Sequence, residues 1–147
     1  MSKVRLAAFV GKGNLFNSAI RRRTHSNVSH TELIIDGLWY SSSVGDGGVR
    51  RKHVDPKPGE WEYVDLPWAD ADAVIAWFDR HEDDHYGMWD IVCQLFSINL
   101  DGKGEICSEA CAEALGFQQG WKLTPGKLLQ RCKEKTLAWE AARNGGR

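Results

Sequence analysis

Residues 29–43 read SHTELIIDGLWYSSS, and this stretch decides the predicted fold. Two runs of residues that favour β-structure flank the dipeptide Asp36-Gly37. A dipeptide of this type between two such runs is the strongest short-range signal for a β-hairpin with a two-residue turn. The stretch therefore predicts a hairpin, and the turn length fixes which residues of the two strands lie opposite each other.

The predicted register sorts the side chains of the hairpin into two faces. His30 is expected opposite Ser43 and Glu32 opposite Ser41, so these four polar side chains share one face. The alternate positions are mostly apolar, and we expect them to pack into the core. These alternate positions are Thr31, Leu33, Ile35, Leu38 and Tyr40.

Further strands and helices are predicted on both sides of the hairpin. Strands are predicted at 4–10, 50–54 and 61–66. Helices are predicted at 15–20 after the cap Asn14, at 71–80, at 88–96, from Cys107 to a stop at Gly116, and from a start at Thr124-Pro125 to Cys132. The end of the chain, 136–147, is expected to be helical and then to fray. The pattern predicts one α+β domain over 1–147, an antiparallel sheet packed on helices.

Composition restricts the classes of partner. The chain has 147 residues, a formal charge of −1, 42% hydrophobic and 27% charged residues. No apolar run approaches the ~20 residues of a membrane-spanning helix, and the charge balance gives no signature of nucleic-acid binding. The start of the chain lacks the apolar stretch of a secretory signal, so we expect a cytoplasmic protein with reduced thiols and a small-molecule or peptide substrate. The sequence leaves the oligomeric state open.

Cys107 lies at the predicted start of a helix. Unpaired backbone N–H groups and the positive end of the helix dipole favour a thiolate there, and the same N–H groups can stabilise an oxyanion. Cys107 is therefore the candidate nucleophile. Cys111, one turn deeper, is expected to be a buried small hydrophobe.

A nucleophilic cysteine needs a base within hydrogen-bond reach, and the base needs an acceptor at its second ring nitrogen. His30 on the predicted hairpin is the candidate base. The register offers Glu32, Ser41 and Ser43 as candidate acceptors on the same face. Glu32 is favoured slightly by its charge, which stabilises an imidazolium best.

Four short motifs resemble, in order and spacing, the permuted branch of the NlpC/P60 superfamily of papain-like cysteine hydrolases, and its YiiX-like members in particular. They are 29–33, 40–43 leading to 46–50, 86–90, and 106–109. The resemblance implies a papain-like fold in which His30, the base, precedes Cys107, the nucleophile. It also implies a third polar residue on the next strand, which favours Ser41 or Ser43.

The cleft of that superfamily implies that Trp39 and the 46–49 loop, including Asp46 and Gly48, border the substrate. A purely structural turn is the alternative role for the glycines of this loop. The resemblance implies a bacterial or phage cysteine peptidase or amidase that needs no cofactor or metal and cleaves an amide bond through an acyl-enzyme. Peptidoglycan peptides are the first expectation for the substrate.

Three alternatives remain open at this stage. An acyltransferase or thioesterase would use the same cysteine and histidine, and a non-catalytic binding module would use the seven tryptophans of the chain. A zinc protein would use Cys107, Cys111 and two of His53, His81 and His85. The polar connector 79–86 is expected to be a solvated loop rather than a metal site.

Overall fold

The computed structural model describes residues 2–13, 17–18, 21–22, 25–43, 46, 48–82 and 106–146. Within them, five strands form one antiparallel sheet in the order β4-β3-β2-β1-β5. The strands are β1 (Val4–Phe9), β2 (His30–Ile35), β3 (Leu38–Ser43), β4 (Gly48–Lys52) and β5 (Trp61–Asp65). The helices are α1 (Ala71–His81), α2 (Ile106–Ala114) and α3 (Pro125–Asn144), with a 3-10 turn at Gly120–Lys122. The predicted α+β class with an antiparallel sheet is confirmed.

The hairpin of β2 and β3 turns at the predicted dipeptide. Asp36 and Gly37 both have positive φ angles, 50° and 79°, as a two-residue turn of this hand requires. The regular pairing runs from Ile35 with Leu38 to Leu33 with Tyr40, in the predicted register. The predicted pairs of His30 with Ser43 and of Glu32 with Ser41 fall outside this regular pairing.

Side-chain donors meet the backbone where the regular pairing ends. The carbonyl oxygen of Thr31 accepts a hydrogen bond from Ser41 Oγ at 2.7 Å and one from Cys111 Sγ at 3.6 Å. This end of the hairpin is therefore joined to α2 as well as to its own partner strand.

One face of the sheet forms the hydrophobic core. Its central side chains, Leu6, Leu33, Ile35 and Val49, are at most 2% exposed. Helix α2 packs against β2 and β3, and α3 packs against β1, β5 and β2. The predicted inward face of the hairpin is confirmed, because Thr31 and Tyr40 are also buried and Leu38 is partly buried against the same core.

Two helix starts are capped by side chains, at Asp70 and at the predicted start Thr124, whereas the predicted cap Asn14 lies outside the described residues. The Asp70 carboxylate accepts hydrogen bonds from the N–H groups of Asp72 and Ala73, and Thr124 Oγ1 accepts one from Lys127 N. These bonds satisfy N–H groups that the first turn of a helix leaves unpaired. Gly116 follows α2 with a φ of 83°, which glycine adopts without strain.

Two predicted elements need correction. Strand β4 spans Gly48–Lys52 rather than 50–54, because its pairing with β3 runs from Gly48 to Lys52. Helix α3 does not end near Cys132 but continues to Asn144. Residues 133–144 contain neither glycine nor proline, so no strong helix breaker interrupts the helix, and most of the predicted tail belongs to α3.

Some predictions fall on residues that the structure does not describe. The predicted helix 88–96 and the motif 86–90 lie outside the described residues, as do most of 15–20, of which Asn17 and Ser18 are described and helical. Among the described helices, none combines the length and the apolar character that crossing a membrane requires.

Candidate active site

The first turn of α2 brings Cys107 to the beginning of β2. Cys107 is the second residue of α2, and its side chain is buried, with 7% exposed. Because α2 packs across β2 and β3, its first turn lies near the first residue of β2. The Cys107 side chain lies near the His30 imidazole, close enough to contribute to the raised pKa of His30. Two residues distant in sequence are thus neighbours in the fold.

His30 is held between a carboxylate and an aromatic ring. It pairs with Phe9 of β1, and 21% of its side chain is exposed. Its Nε2 atom lies 3.7 Å from Glu32 Oε1, an ion-pair distance slightly too long for a hydrogen bond. The ring of Trp61 meets the imidazole edge to face with 6.3 Å between centroids. The imidazole therefore keeps a path to solvent beside a buried thiol.

The electrostatic surroundings of His30 favour the imidazolium. Burial alone would lower the pKa of His30, but attraction to Cys107, the hydrogen bond with Cys107 and the interaction with Glu32 outweigh it. Together they raise the pKa of His30 to about 9. An imidazolium that stays charged through neutral pH is the partner that a reactive thiolate requires.

Of the three candidate acceptors, Glu32 is the one whose side chain interacts with His30. The hydroxyl of Ser41 is fully buried and donates to the carbonyl of Thr31. Ser43 is partly exposed at the end of β3, where it pairs with β4. The geometry thus agrees with the preference for Glu32 that charge suggested, rather than with the serines that the resemblance favoured.

The Glu32 carboxylate is buried and has a second cationic neighbour. Glu32 is 1% exposed, and its Oε1 atom forms an ion pair with Nη1 of Arg50, without the alignment of a hydrogen bond. Arg50 also donates from Nε to Asp46 Oδ2 at 2.9 Å and from Nη1 to the carbonyl of Trp39 at 3.3 Å. Arg50 therefore links the buried carboxylate to the β3–β4 end of the sheet.

Sequence reasoning missed Arg50. Its position follows from the pairing of Ser41 with Arg50, which depends on the length of the connection between β3 and β4. That connection carries several glycines and offers no unique turn signal. If the connection had been interpreted as a short hairpin loop, the alternation of side chains along β4 would have placed Arg50 on the same face of the sheet as Glu32.

The predicted substrate-binding residues Asp46 and Gly48 lie at this end of the sheet. The Asp46 carboxylate accepts hydrogen bonds from Arg50 and from Lys52 Nζ at 2.8 Å. Burial acts to raise the pKa of Asp46, but these two cations lower it overall. Gly48 is buried and has a φ of 130°, a conformation that favours glycine. Their contact with substrate stays a prediction.

Trp39, the third predicted substrate-binding residue, belongs to an aromatic cluster. It is 5% exposed and meets Trp61 and Tyr63 edge to face, with centroids 4.9 and 6.3 Å apart. Trp61 also packs on Phe9 at 5.1 Å. Trp61 is thus the member of the cluster that reaches His30, and sequence reasoning missed it because its place depends on β5 pairing with β1.

The other described cysteines have environments unlike that of Cys107. Cys111 is fully buried in the core, which confirms its predicted packing role. Burial first, and then the neighbouring Cys107, raise the pKa of Cys111 far above its usual range. Burial also raises the pKa of Cys132 to about 12. Neither thiol is suited to form a thiolate near neutral pH.

The zinc hypothesis finds no support in the described part of the chain. Among the residues outside the undescribed ranges, no three His, Cys, Asp or Glu side chains are grouped to hold a metal ion. His81 stacks on Trp77 with 3.9 Å between centroids, and its Nδ1 lies 2.7 Å from the Trp77 carbonyl oxygen. His53 is exposed, and His85 lies outside the described residues.

Comparisons with protein-family models, with curated proteins and with solved structures found no match. The resemblance to the NlpC/P60 superfamily therefore stays a prediction, carried by the four motifs and by the geometry of the residues above.

Proposed function

We propose that the chain is a papain-like thiol hydrolase of the permuted NlpC/P60 type, with Cys107 as nucleophile and His30 as base. The observation that carries the proposal is that Cys107, in the first turn of α2, lies close enough to His30, at the start of β2, to help raise the pKa of its imidazole. A thiol beside an imidazole at a helix N-terminus is the arrangement that activates a cysteine. The order of the two residues agrees with the resemblance.

The proposed reaction forms and breaks one C–S bond. The Cys107 thiolate attacks the carbonyl carbon of an amide, and the π-electron pair of that carbonyl moves to its oxygen. The tetrahedral intermediate collapses when the His30 imidazolium gives its proton to the departing amine, which leaves an acyl group on sulfur. Water then attacks the thioester, gives one proton to His30, and releases the carboxylic acid and the thiolate.

Two further groups support this chemistry. Because Nε2 of His30 faces Glu32, its Nδ1 is the nitrogen left for the thiol. Glu32 then stabilises the imidazolium and keeps the ring in the orientation that both proton transfers need. The N–H groups of the first turn of α2 are suited to hold the oxyanion, since a helix start leaves them without intrahelical acceptors.

The substrate class proposed first is an amide in a peptide, with peptidoglycan peptides as the leading example. An acyltransferase or thioesterase would use the same thiol and imidazole and would differ only in the acyl donor. Incubation with peptide amides, thioesters and acyl phospholipids, followed by intact-mass measurement, distinguishes these classes by the acyl group retained on Cys107.

The central test is labelling with iodoacetamide from pH 5 to pH 9, with the modified cysteine identified by peptide mass spectrometry. We expect Cys107 to react at pH 6 at least about tenfold faster than Cys132, because His30 lies beside the Cys107 sulfur, whereas burial raises the pKa of Cys132 to about 12. We expect His30→Ala to remove this advantage.

The matched control is His53→Ala, which removes an exposed histidine and should leave the profile of Cys107 unchanged. Equal rates for Cys107 and Cys132 at pH 6, or a Cys107 profile that His30→Ala does not alter, would contradict the proposed function. Circular dichroism spectra of the variants verify that each one is folded.

A further inference from the structure

Arg50 is the centre of a charged cluster that the proposed reaction does not use directly. Its guanidinium contacts the Glu32 carboxylate, the Asp46 carboxylate and the carbonyl of Trp39. Its side chain is only 12% exposed. Lys52 Nζ also donates to Asp46, to Oδ2 at 2.8 Å and to Oδ1 at 3.1 Å, so two cations hold the Asp46 carboxylate. The guanidinium is therefore fixed by two hydrogen-bond acceptors and one ion pair rather than free to turn in solvent.

We propose that Arg50 is a positioning residue that keeps the buried Glu32 carboxylate ionised and in place beside His30. This inference rests on the proposed function, since it assigns to Arg50 a role in maintaining the thiolate and imidazolium pair. Arg50 does not contact the reacting atoms, and it acts through Glu32.

His30 and Arg50 share one oxygen of the Glu32 carboxylate as their anionic neighbour. Oε1 of Glu32 contacts Nη1 of Arg50 and also lies 3.7 Å from Nε2 of His30. Glu32 is 1% exposed, so water contributes little to stabilising its charge. An ionised carboxylate buried without a close cation or hydrogen bonds is strongly disfavoured, and such a group takes up a proton instead. Arg50 supplies that close cation.

The charged and titratable neighbours in the described part of the chain are few. Glu32 faces His30 on its own strand and Arg50 from β4, and the charge of Glu32 also helps raise the pKa of Cys111 in α2. His30 faces Glu32 and Cys107. Cys111 is neutral near pH 7, because burial raises its pKa. Removal of Arg50 therefore leaves two buried anions, Glu32 and the Cys107 thiolate, with only His30 as a cationic partner.

The consequence for the thiol follows from this charge balance. When Glu32 takes up a proton, His30 loses its anionic neighbour and holds its own proton less tightly. The imidazolium then returns its proton to the Cys107 thiolate, and the pair reverts to neutral imidazole and thiol. We therefore expect Arg50→Gln to slow the iodoacetamide reaction of Cys107 at pH 6 by about tenfold, the effect of one pKa unit.

The matched control is Arg51→Gln. Arg51 is the next residue of β4 and points to the opposite face, where it pairs with Asp79 and Glu82. The substitution Arg51→Gln removes the same charge at nearly the same place in the chain. We expect it to leave the pH profile of iodoacetamide labelling at Cys107 unchanged. An equal effect of both substitutions would show that net charge alone is responsible and would overturn the inference.

A double-mutant cycle tests whether Arg50 acts through Glu32. Glu32→Gln imitates the protonated carboxyl group, so it should slow Cys107 about as much as Arg50→Gln does. In the Glu32→Gln background, Arg50→Gln should cause no further slowing. Independent, additive effects of the two substitutions would overturn the inference.

Arg50→Lys keeps the charge and should restore part of the rate. If Arg50→Gln does not fold, the cycle is run with Arg50→Lys: an effect present only when Glu32 is intact supports the inference, and equal effects in both backgrounds overturn it. The His30 imidazole is also titrated by NMR in the wild type and in the folded Arg50 variant, and we expect a lower midpoint in the variant.

The NMR titration separates the two possible failures. If Cys107 shows no enhanced reactivity in the wild type, the proposed function fails, yet the midpoint of His30 still reports whether Arg50 acts through Glu32. If Cys107 is reactive and the His30 midpoint is the same in the wild type and the variant, the proposed function stands and the role of Arg50 is refuted.

Discussion

Both faces of the sheet contain fully buried side chains, but these are buried by different means. On the core face, Leu6, Leu33 and Val49 pack under the helices without any charged group among them. On the opposite face, Glu32 is buried to the same extent, yet it is surrounded by His30 and Arg50. Burial of apolar side chains is favourable in itself, whereas burial of a charge is favourable only when partners compensate for the lost hydration.

The comparison explains why the charged face is the better candidate for chemistry. A buried ion pair is weak evidence for stability, since apolar residues of similar volume often serve stability equally well. Charged groups held away from water do shift the pKa values of their neighbours, and such shifts cluster at functional sites. His30, with its pKa raised to about 9, is the described example on this face.

The largest effect on stability is expected from breaking the buried ion pair at one end. Glu32→Ala leaves the guanidinium of Arg50 without its buried partner, which should lower the free energy of unfolding by about 3–5 kcal/mol. Urea unfolding monitored by tryptophan fluorescence measures it. The double variant Glu32→Leu/Arg50→Met should recover most of the loss, and a single-variant loss below about 1 kcal/mol would contradict the account.

A somewhat smaller loss of unfolding free energy is expected for a substitution on the core face. Leu33→Ala removes a fully buried side chain, which should lower the free energy of unfolding by about 2–5 kcal/mol through lost burial and a residual cavity. The NMR titration of His30 should be unaffected, because the change lies on the other face. Leu137→Ala, at a side chain 66% exposed, is the control and should stay within about 0.5 kcal/mol.

The pH dependence of stability measures the charged face through the difference between the wild type and His30→Gln. The pKa of His30 rises from 6.5 to about 9 on folding, so its stabilising contribution is complete below pH 6.5 and is lost as the pH rises through about 9. The free energy of unfolding should therefore fall by up to about 3 kcal/mol between pH 6 and pH 9.5 in the wild type. Urea unfolding of His30→Gln should show a clearly smaller fall, and parallel curves for the two proteins would refute the assigned shift.

The smallest effect is expected at the exposed rim of the charged face. Lys52 pairs with Asp46, but its side chain is 44% exposed, so solvent screens the pair. Lys52→Gln should lower the free energy of unfolding by less than about 1 kcal/mol and leave the reactivity of Cys107 intact. A loss as large as that of Glu32→Ala would show that the rim, rather than the buried end, carries the cluster.

Local chemistry made the elements of the fold predictable. The Asp36-Gly37 turn, the caps Asp70 and Thr124, and the stop at Gly116 all act within a few residues, so the sequence pattern contains all the information that they require. The predicted end of α3 near Cys132 was wrong. The prediction followed the last apolar positions, whereas residues with adequate helix propensity continue the helix to Asn144.

The sequence predicted which residues are candidates for the site, but not which candidate acceptor interacts with His30. Residue type and position nominated Cys107 and His30, because a helix start and a strand are local features. Charge favoured Glu32 and the resemblance favoured Ser41 or Ser43, and the sequence could not decide between them, because the hydroxyl of Ser41 donates to the carbonyl of Thr31 only in the folded hairpin. Arg50 was missed because its approach to Glu32 depends on how β4 pairs with β3.

The sequence by itself determined the α+β class, the register of the central hairpin and the starts of α1 and α3, since each depends on interactions between near neighbours along the chain. Only the tertiary structure decided that the imidazole of His30 meets the thiol of Cys107 and that Arg50 meets Glu32. The physical reason is that these contacts join different elements, whose relative positions are set by the strand order and by helix packing on the sheet.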